Sequence, residues 1–316
     1  MVREFAAGKP EQPQFEQHEF YFISRALARP KFSNKPNEDS FFNDTERSAY
    51  GVFDGMGGHE HSEVASQLAC TAVQKFIAGI PAGAGEAAIL QTLHDAYESA
   101  NGVIRHEAML RHQAKLGTTA TTVLFRSIDG TQRAFFAHMG DSRLYRFRKG
   151  VLDLLTTDHG AIFGSLKDLQ NSGIDVQKLA RQVDEVTDPS KISDPLVAAL
   201  YEKRNKLTRY IGQHDQVNVE VGAVDVEDAD VYILTTDGWT DNLTHSEIEK
   251  LAKENHNPAM LVEMIEGSAQ QIVRNALKRG EIAVVDGGGV EIKKRRTSRA
   301  KMDDMTGVVI AACRIG

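Results

Sequence analysis

The feature that most restricts the fold is a series of strand patterns joined by short turns in the middle of the chain. The turn Ile128-Asp129-Gly130-Thr131 joins the first two patterns, and Arg148-Lys149-Gly150 joins the next two. Short turns of this composition are typical of β-hairpins. The four strand patterns cover residues 119–127, 133–138, 143–148 and 151–155. They predict antiparallel sheets instead of an alternation of strands and helices.

Helical patterns lie on both sides of these strands. Apolar residues at helical spacing predict helices at residues 61–78, 86–113 and 258–276. Further strand patterns cover residues 20–23, 49–53, 217–226, 231–235 and 307–312. Long amphipathic helices together with antiparallel strands predict an α+β fold in which helices cover packed sheets.

Composition excludes several classes of protein. With 41% hydrophobic and 26% charged residues, the chain has the composition of a globular protein. Its net charge of −7 argues against a nucleic-acid partner. The sequence contains no run of about 18 apolar residues, so no membrane span is predicted. Neither Cys70 nor Cys313 belongs to a C-x-x-C pair. We expect a cytoplasmic protein in a reducing compartment.

Acidic residues stand at the ends of four predicted strands. They are Glu38-Asp39, Asp54-Gly55, Asp237-Gly238 and Asp303-Asp304. A carboxylate at such a position lowers strand propensity and costs desolvation energy. One example is an ordinary turn, but four in one chain favour a functional site.

Oxygen ligands at strand ends suit Mg²⁺ or Mn²⁺. Each ion keeps several waters, so it needs only a few carboxylates and a backbone carbonyl, which a glycine after the aspartate brings close. Two such ions roughly 3.5–4 Å apart can hold a bridging water and lower its pKa enough to make it a nucleophile at neutral pH. They also neutralise phosphate oxygens during in-line displacement. The pattern therefore predicts a two-metal phosphoester hydrolase.

Eight stretches match the motifs of one family in the family's own order. They are residues 37–40, 52–59, 116–119, 139–143, 155–159, 207–212, 234–238 and 303–306. On these stretches the chain resembles the metal-dependent protein phosphatases of type 2C, and in particular their bacterial-type members. The resemblance covers about residues 20–313. It implies a four-layer αββα sandwich, in which two antiparallel sheets are flanked by helices.

The resemblance also implies a set of metal ligands. Asp54 would bridge two tightly bound Mn²⁺ or Mg²⁺ ions, and the main-chain carbonyl of Gly55 would join it. Asp237 and Asp303 would bind the second ion. Asp141 would help to hold a third, weaker ion.

Two further acidic residues are implied to act through water. Glu38 and Asp39 would lie in the outer shell of the metal site, and we place Asp39 with Asp54 in the catalytic set. The position two residues after the bridging aspartate is Met56, where some relatives have a histidine that serves as general acid. Water or another group must then protonate the leaving alkoxide.

One position departs from the family pattern. Relatives usually have an arginine five residues before the first aspartate, where it binds the substrate phosphate, and this chain has Asn34 there. Lys35, Lys31 and Arg29 are candidates to replace it, and we assign Lys35 to the catalytic set. Lysine lacks the bidentate fork of arginine, so substrate binding is expected to differ.

The chain is expected to form one catalytic domain at residues 19–316, after a flexible N-terminal tail at residues 1–18. Residues 160–206 are predicted to be a helical insertion, where the family carries a variable flap beside the active site. Residues 279–301 are predicted to form a basic loop that contains Lys293-Lys294-Arg295-Arg296. The roles of these two segments stay open.

The predicted activity is hydrolysis of phosphoserine and phosphothreonine on protein substrates. A cognate protein kinase is a further candidate partner. Two alternatives remain open: a pseudophosphatase that binds phosphoproteins without turnover, for which Asn34 is the best argument, and a module whose activity depends on a regulatory partner.

Overall fold

The computed structural model describes residues 20–31, 35–56, 61–112, 116–169, 173–279, 283–285, 289–291 and 299–315. The strands are β1 Phe20–Arg29, β2 Asp39–Asp44, β3 Ala49–Met56, β4 Gly117–Thr118, β5 Ala120–Ile128, β6 Thr131–Met139, β7 Arg143–Arg148, β8 Val151–Leu154, β9 Glu220–Asp225, β10 Val231–Thr235, β11 Ala283–Val285, β12 Gly289–Glu291 and β13 Met305–Arg314. The helices are α1 Ser62–Ala78, α2 Glu86–Leu110, α3 Ala161–Leu169, α4 Val176–Asp184, α5 Pro195–Tyr201, α6 Asp237–Thr240, α7 His245–Glu254 and α8 Pro258–Lys278.

Two antiparallel sheets form the centre of the molecule. The first sheet has the strand order β1-β13-β10-β7-β8, and the second has the order β2-β3-β5-β6-β9, with β4 paired to β3. The predicted hairpins β5–β6 and β7–β8 are both present. Because short turns join these strand patterns, the two strands of each hairpin are neighbours in one sheet.

Three apolar layers separate four layers of secondary structure. Between the two sheets, the ring of Phe125 stacks on Phe22 at 4.1 Å and meets the edge of Tyr232 at 5.0 Å. Helices α1 and α2 cover the outer face of the second sheet, and α7 and α8 cover the first. The expected αββα sandwich is therefore confirmed.

Strand β3 is longer than the sequence predicted. The strand pattern covered residues 49–53, yet β3 continues to Met56, and residues 57–60 lie outside the described residues. The extension is stabilised by pairing, because Asp54 lies opposite Asp39 of β2 and Gly55 lies opposite Thr118 of β4. The short helix α6 and the helix α7 were not predicted.

The insertion at residues 160–206 is helical, as expected. It contains α3, α4, a 3₁₀ turn at Pro189–Lys191 and α5, which bury a small apolar cluster of their own that includes Leu179, Val183 and Tyr201. The predicted N-terminal tail and most of the predicted basic loop lie outside the described residues. Among the residues that are described, no helix combines the length and apolarity that a membrane span requires.

Candidate functional site

The acidic strand ends of the two sheets meet at one edge of the sandwich. Asp39 and Asp54 are opposite each other in the β2–β3 pair of the second sheet. From the first sheet, the main-chain N–H of Thr236 donates to the carbonyl of Thr306 at 3.0 Å, which joins the end of β10 to the start of β13. The Thr236 hydroxyl donates to Asp39 Oδ2 at 2.9 Å and links the two sheets at this edge.

The backbone around Asp54 is tightly fixed. Its carbonyl accepts hydrogen bonds from the Thr119 N–H at 2.9 Å and from the Thr118 hydroxyl at 2.8 Å. The N–H of Gly55 donates to the carbonyl of Glu38 at 3.1 Å. A Cβ atom on Gly55 would lie 2.2 Å from the carbonyl oxygen of Ser62, so only glycine fits between the strands and α1.

Asp304 holds the segment between β1 and β2 in place. Its Oδ2 accepts the main-chain N–H of Glu38 at 2.8 Å, and its Oδ1 accepts the main-chain N–H of Lys31. The sequence placed Asp304 beside Asp303 but could not separate their roles. The structure gives Asp304 a positioning role, with a carboxylate that is only 3% exposed.

Lys301 is a member of the site that the sequence analysis missed. Its ammonium contacts Asp237 Oδ2, and it lies 2.9 Å from Asp241 Oδ2 and 2.9 Å from Asp303 Oδ2. Lys301 belongs to the segment that was assigned only to a basic loop, so no motif drew attention to it. Asp241, four residues after Asp237, was also missed, because it lies just outside the matched stretch at residues 234–238.

Buried negative charge dominates the electrostatics of this edge. Burial and the neighbouring carboxylates Asp39, Asp237 and Asp303 hold the pKa of Asp54 well above its usual range. Burial and the charge of Asp237 do the same to the pKa of Asp141. Burial raises the pKa of Asp237 to about 6, although Lys301 opposes this shift. These carboxylates are difficult to ionise together unless further cations bind.

Asp141 follows β6 on a loop that two hydrogen bonds brace. The His159 N–H donates to the carbonyl of Gly140 at 2.7 Å, and the Gly140 N–H donates to His159 Nδ1 at 3.1 Å. Gly140 has φ +122, and a Cβ there would lie 2.6 Å from Thr119, so this turn also requires glycine. Asp141 is within electrostatic range of Asp237.

The model for protein phosphatase 2C matches residues 31–279 of this sequence. The chain belongs to the protein phosphatase 2C family. The phosphatase is 26% identical over 230 residues to "Protein phosphatase PhpP" of Streptococcus pneumoniae, an alignment that covers 71% of this chain and 80% of the relative. It is 24% identical over 230 residues to "Serine/threonine phosphatase stp" of Listeria monocytogenes, with 71% and 79% covered.

Solved structures agree on the fold of the phosphatase. The serine/threonine phosphatase PstP of Mycobacterium tuberculosis superposes with a TM-score of 0.66 at 21% identity, over 92% of this chain and 98% of that one. The catalytic domain of PstP in complex with two manganese ions gives a TM-score of 0.61 at 23% identity, over 93% and 99% of the two chains. Both likenesses support the two-sheet architecture.

The residues at this edge of the phosphatase fit divalent metal ions. Asp237 Oδ1 is buried and has no hydrogen-bond partner among the described residues. The other available donors are carboxylate oxygens, which hard cations such as Mg²⁺ and Mn²⁺ prefer. A cation at this edge would also relieve the repulsion that raises the pKa values of Asp54 and Asp237.

A second cluster of possible metal ligands is better explained by hydrogen bonds. Ligand atoms of His138, His159 and Glu220 lie within 4.8 Å of one another. His159 Nδ1 accepts the Gly140 N–H, so its proton is on Nε2, and His138 Nε2 lies 3.1 Å from the carbonyl of Thr157, to which it must donate. Neither Nε2 then offers a lone pair to a metal, and the histidines act as the brace under Gly140.

The candidates for the phosphate-binding position differ in their surroundings. Lys31 Nζ pairs with Glu38 Oε2 at 2.8 Å and lies 3.6 Å from Asp303 Oδ1, with 23% of the side chain exposed. Arg29 instead pairs with the buried Glu266 of α8. Lys35 is exposed on the same connection between β1 and β2, and Asn34 lies outside the described residues. Lys31 therefore contacts the acidic edge directly, through Glu38 and Asp303.

Proposed function

We propose that this protein is a serine/threonine phosphatase that hydrolyses phosphoserine and phosphothreonine on other proteins, with Mn²⁺ or Mg²⁺ as cofactor. The observation that carries the proposal is the buried group of carboxylates at the adjacent ends of the two sheets, of which Asp237 Oδ1 lacks a partner. The names of the PhpP, stp and PstP relatives, two of which are serine/threonine phosphatases by name, support the substrate class. The two manganese ions of the PstP complex support the cofactor.

The proposed ligands are the same residues that the sequence singled out. Asp54 would contact both ions, with the Gly55 carbonyl on one of them and Asp237 and Asp303 on the other. When bound there, such ions would supply the positive charge that acidifies a water molecule and neutralises the phosphoryl oxygens. Asp141 is set apart from these ligands, because the ammonium of Lys301 is among its charged neighbours.

Residues around the ligands would orient water and substrate. Asp39 is held by the Thr236 hydroxyl, and its carboxylate, together with Glu38, would accept hydrogen bonds from the ordered waters of the site. The partly exposed ammonium of Lys31 would bind a phosphoryl oxygen as a point charge. Lys35, exposed nearby, is the second candidate for this role. Met56 offers no proton, so the leaving alkoxide would take one from water.

The test is hydrolysis of p-nitrophenyl phosphate and of a phosphothreonine peptide, first with Mn²⁺ and then with excess EDTA. Turnover with the metal and none with EDTA is the expected result. A folded protein that binds Mn²⁺ and phosphopeptide but turns over neither substrate would instead support the pseudophosphatase alternative. A rate that rises only on addition of a cell extract would support the partner-regulated alternative.

A further inference from the structure

The ammonium of Lys301 lies inside the acidic edge and not on its rim. It contacts one oxygen each of Asp237, Asp241 and Asp303, the latter two at 2.9 Å. A lysine ammonium has three N–H donors, and three carboxylates face it here. Its hydrogen-bonding capacity is therefore satisfied by groups that would otherwise bind a metal.

The fold fixes Lys301 in this position. Its main-chain N–H donates to Asn242 Oδ1 at 2.9 Å, and Asn242 Nδ2 donates back to the Lys301 carbonyl at 2.9 Å. The same amide nitrogen donates to the Gly238 carbonyl at 2.8 Å. Asn242 is only 1% exposed, so this clamp, the pair of hydrogen bonds between Asn242 and Lys301, is buried. It fixes the main chain of Lys301 beside the carboxylates.

A second anchor lies two residues earlier. The guanidinium of Arg299 is buried and donates to the main-chain carbonyls of Thr240 and Asp241. It also donates to the carbonyl of Asp184 at the end of α4. The chain that leads into Lys301 is thus held against α6 and against the helical insertion.

Lys301 occupies only one of the two carboxylate oxygens of Asp237. Lys301 takes Oδ2 of Asp237, while Oδ1 stays buried and without a partner among the described residues. Asp237 can therefore bind a metal through Oδ1 while it binds the ammonium through Oδ2. Asp141 has Asp237, Lys301 and Asp241 among its charged neighbours, so the ammonium also lies in the field of the residue that was expected to hold a third metal.

We infer that the Lys301 ammonium is a tethered cation that takes the place of the third, weaker metal ion. The inference rests on the proposed function, since it assumes two divalent ions at Asp54, Asp237 and Asp303. A third ion that used Asp237 Oδ2 and Asp241 would have to displace the ammonium or lie against it. Two like charges in contact at such a partly buried site repel each other strongly, because little water screens them. The phosphatase should therefore saturate with two ions.

The experiment counts bound Mn²⁺ on the full chain. Metal-free protein is titrated with Mn²⁺, the ions are counted by isothermal titration calorimetry and by the loss of the free-Mn²⁺ EPR signal, and Lys301→Met is compared with wild type. We expect two ions in wild type, and a third, weaker ion in Lys301→Met, whose side chain keeps the length but not the charge. Lys253→Met is the matched control and should bind two, because Lys253 pairs with Glu249 on the exposed face of α7.

Each count has a separate meaning. Three ions in wild type, or two in a folded Lys301→Met, would overturn the inference and leave the proposed function intact. No ion in wild type would overturn the proposed function as well. If circular dichroism shows that Lys301→Met is unfolded, Lys301→Gln replaces it. If that variant is unfolded too, the anomalous Mn peaks in crystals of wild type decide between two ions and three.

Discussion

Two buried acidic regions of this phosphatase lie close together and behave in opposite ways. At the acidic edge, burial and other carboxylates raise the pKa of Asp54 well above its usual range. At the base of the helical insertion, Asp184 is buried as well, and burial alone would raise its pKa. Arg143 and Arg299 outweigh that effect and lower it. Burial acts in the same direction on both aspartates, so the cations beside them decide the result.

The second region is neutralised within the chain. Arg143 donates to Asp158 through two nitrogens, at 2.7 and 3.0 Å, and to Asp184 at 2.9 Å. Two arginines thus face two aspartates there, whereas at the acidic edge Asp39, Asp54 and Asp141 add to the three carboxylates that share Lys301. A balanced cluster holds the fold together, and an unbalanced one indicates a site that requires cations from solution.

The strongest test of this contrast is to remove carboxylates from the unbalanced cluster. Asp54→Ala and Asp237→Ala should each lower turnover by roughly 10³-fold or more, because each removes a proposed metal ligand. Without metal, Asp54→Ala should be at least as stable as wild type at neutral pH, since it loses a carboxylate that pairs with no cation among the described residues. Asp237→Ala lacks this gain, because it also removes a partner of the Lys301 ammonium. Steady-state assays in saturating Mn²⁺ and urea unfolding in EDTA measure the two effects. Near-normal rates in either variant would refute the two-metal assignment.

The converse test removes a cation from the balanced cluster. Arg143→Met should destabilise the protein by about 3–5 kcal/mol, because it leaves Asp184, whose side chain is only 19% exposed, without its main counter-ion. Arg146→Met is the matched control on the same strand. Its partner Asp153 is 43% exposed, so a loss of no more than about 1 kcal/mol is expected. Urea unfolding of metal-free protein gives both values, and equal losses would remove the distinction between the two regions.

The histidine brace under Gly140 gives a pH-dependent version of the same comparison. Burial, with the charge of Arg209, lowers the pKa of His159 to about 4, and burial with the neighbouring His159 lowers the pKa of His138 to about 3. In the unfolded chain histidine titrates near 6.5. Below that pH the two histidines bind protons in the unfolded state but stay neutral in the folded state. Their titration therefore lowers the free energy of unfolding as the pH falls from about 6.5 towards 4.

Replacing one histidine isolates this contribution. His159→Gln should reduce the loss of stability between pH 6 and pH 5 by up to about 1.4 kcal/mol relative to wild type. Urea unfolding in EDTA at the two pH values measures it, and the carboxylates titrate in both proteins, so their contribution cancels. His106→Gln, on the exposed face of α2, is the control. Parallel stability curves for wild type and His159→Gln would show that the histidine is not held neutral by the fold.

Local sequence patterns predicted the parts of the fold that depend on neighbours in the chain. Hairpin turns such as Ile128–Thr131 set the order of β5 and β6, and helical spacing set α1, α2 and α8. The Thr244–Glu247 capping box of α7 was also readable, since Thr-x-x-Glu before an apolar residue is a known helix start, yet it was not used.

Contacts between distant segments were not predictable in this way. Asp303 and Asp304 are adjacent and chemically identical, and only the fold shows that Asp304 accepts the N–H groups of Lys31 and Glu38. Lys301 lies 64 residues from Asp237 in sequence, and its position depends on the clamp by Asn242. The sequence showed an excess of carboxylates at strand ends. It could not show which lysine or arginine side chains lie among them.

The smallest expected effect concerns the cation at the solvent-facing side of the unbalanced cluster. Lys31→Met should raise KM for a phosphothreonine peptide by about tenfold, because the lost point charge is worth roughly 1.4 kcal/mol of substrate binding, and kcat should change less. Lys35→Met is measured beside it, with Lys253→Met as the surface control. A larger rise in KM for Lys35→Met would assign phosphate binding to Lys35, as the sequence analysis did.

The Mn²⁺ activation curve must be recorded for each variant, since Lys31 also contacts Glu38 and Asp303. If only that curve shifts, Lys31 acts on metal binding through Glu38 and Asp303 and does not bind the substrate.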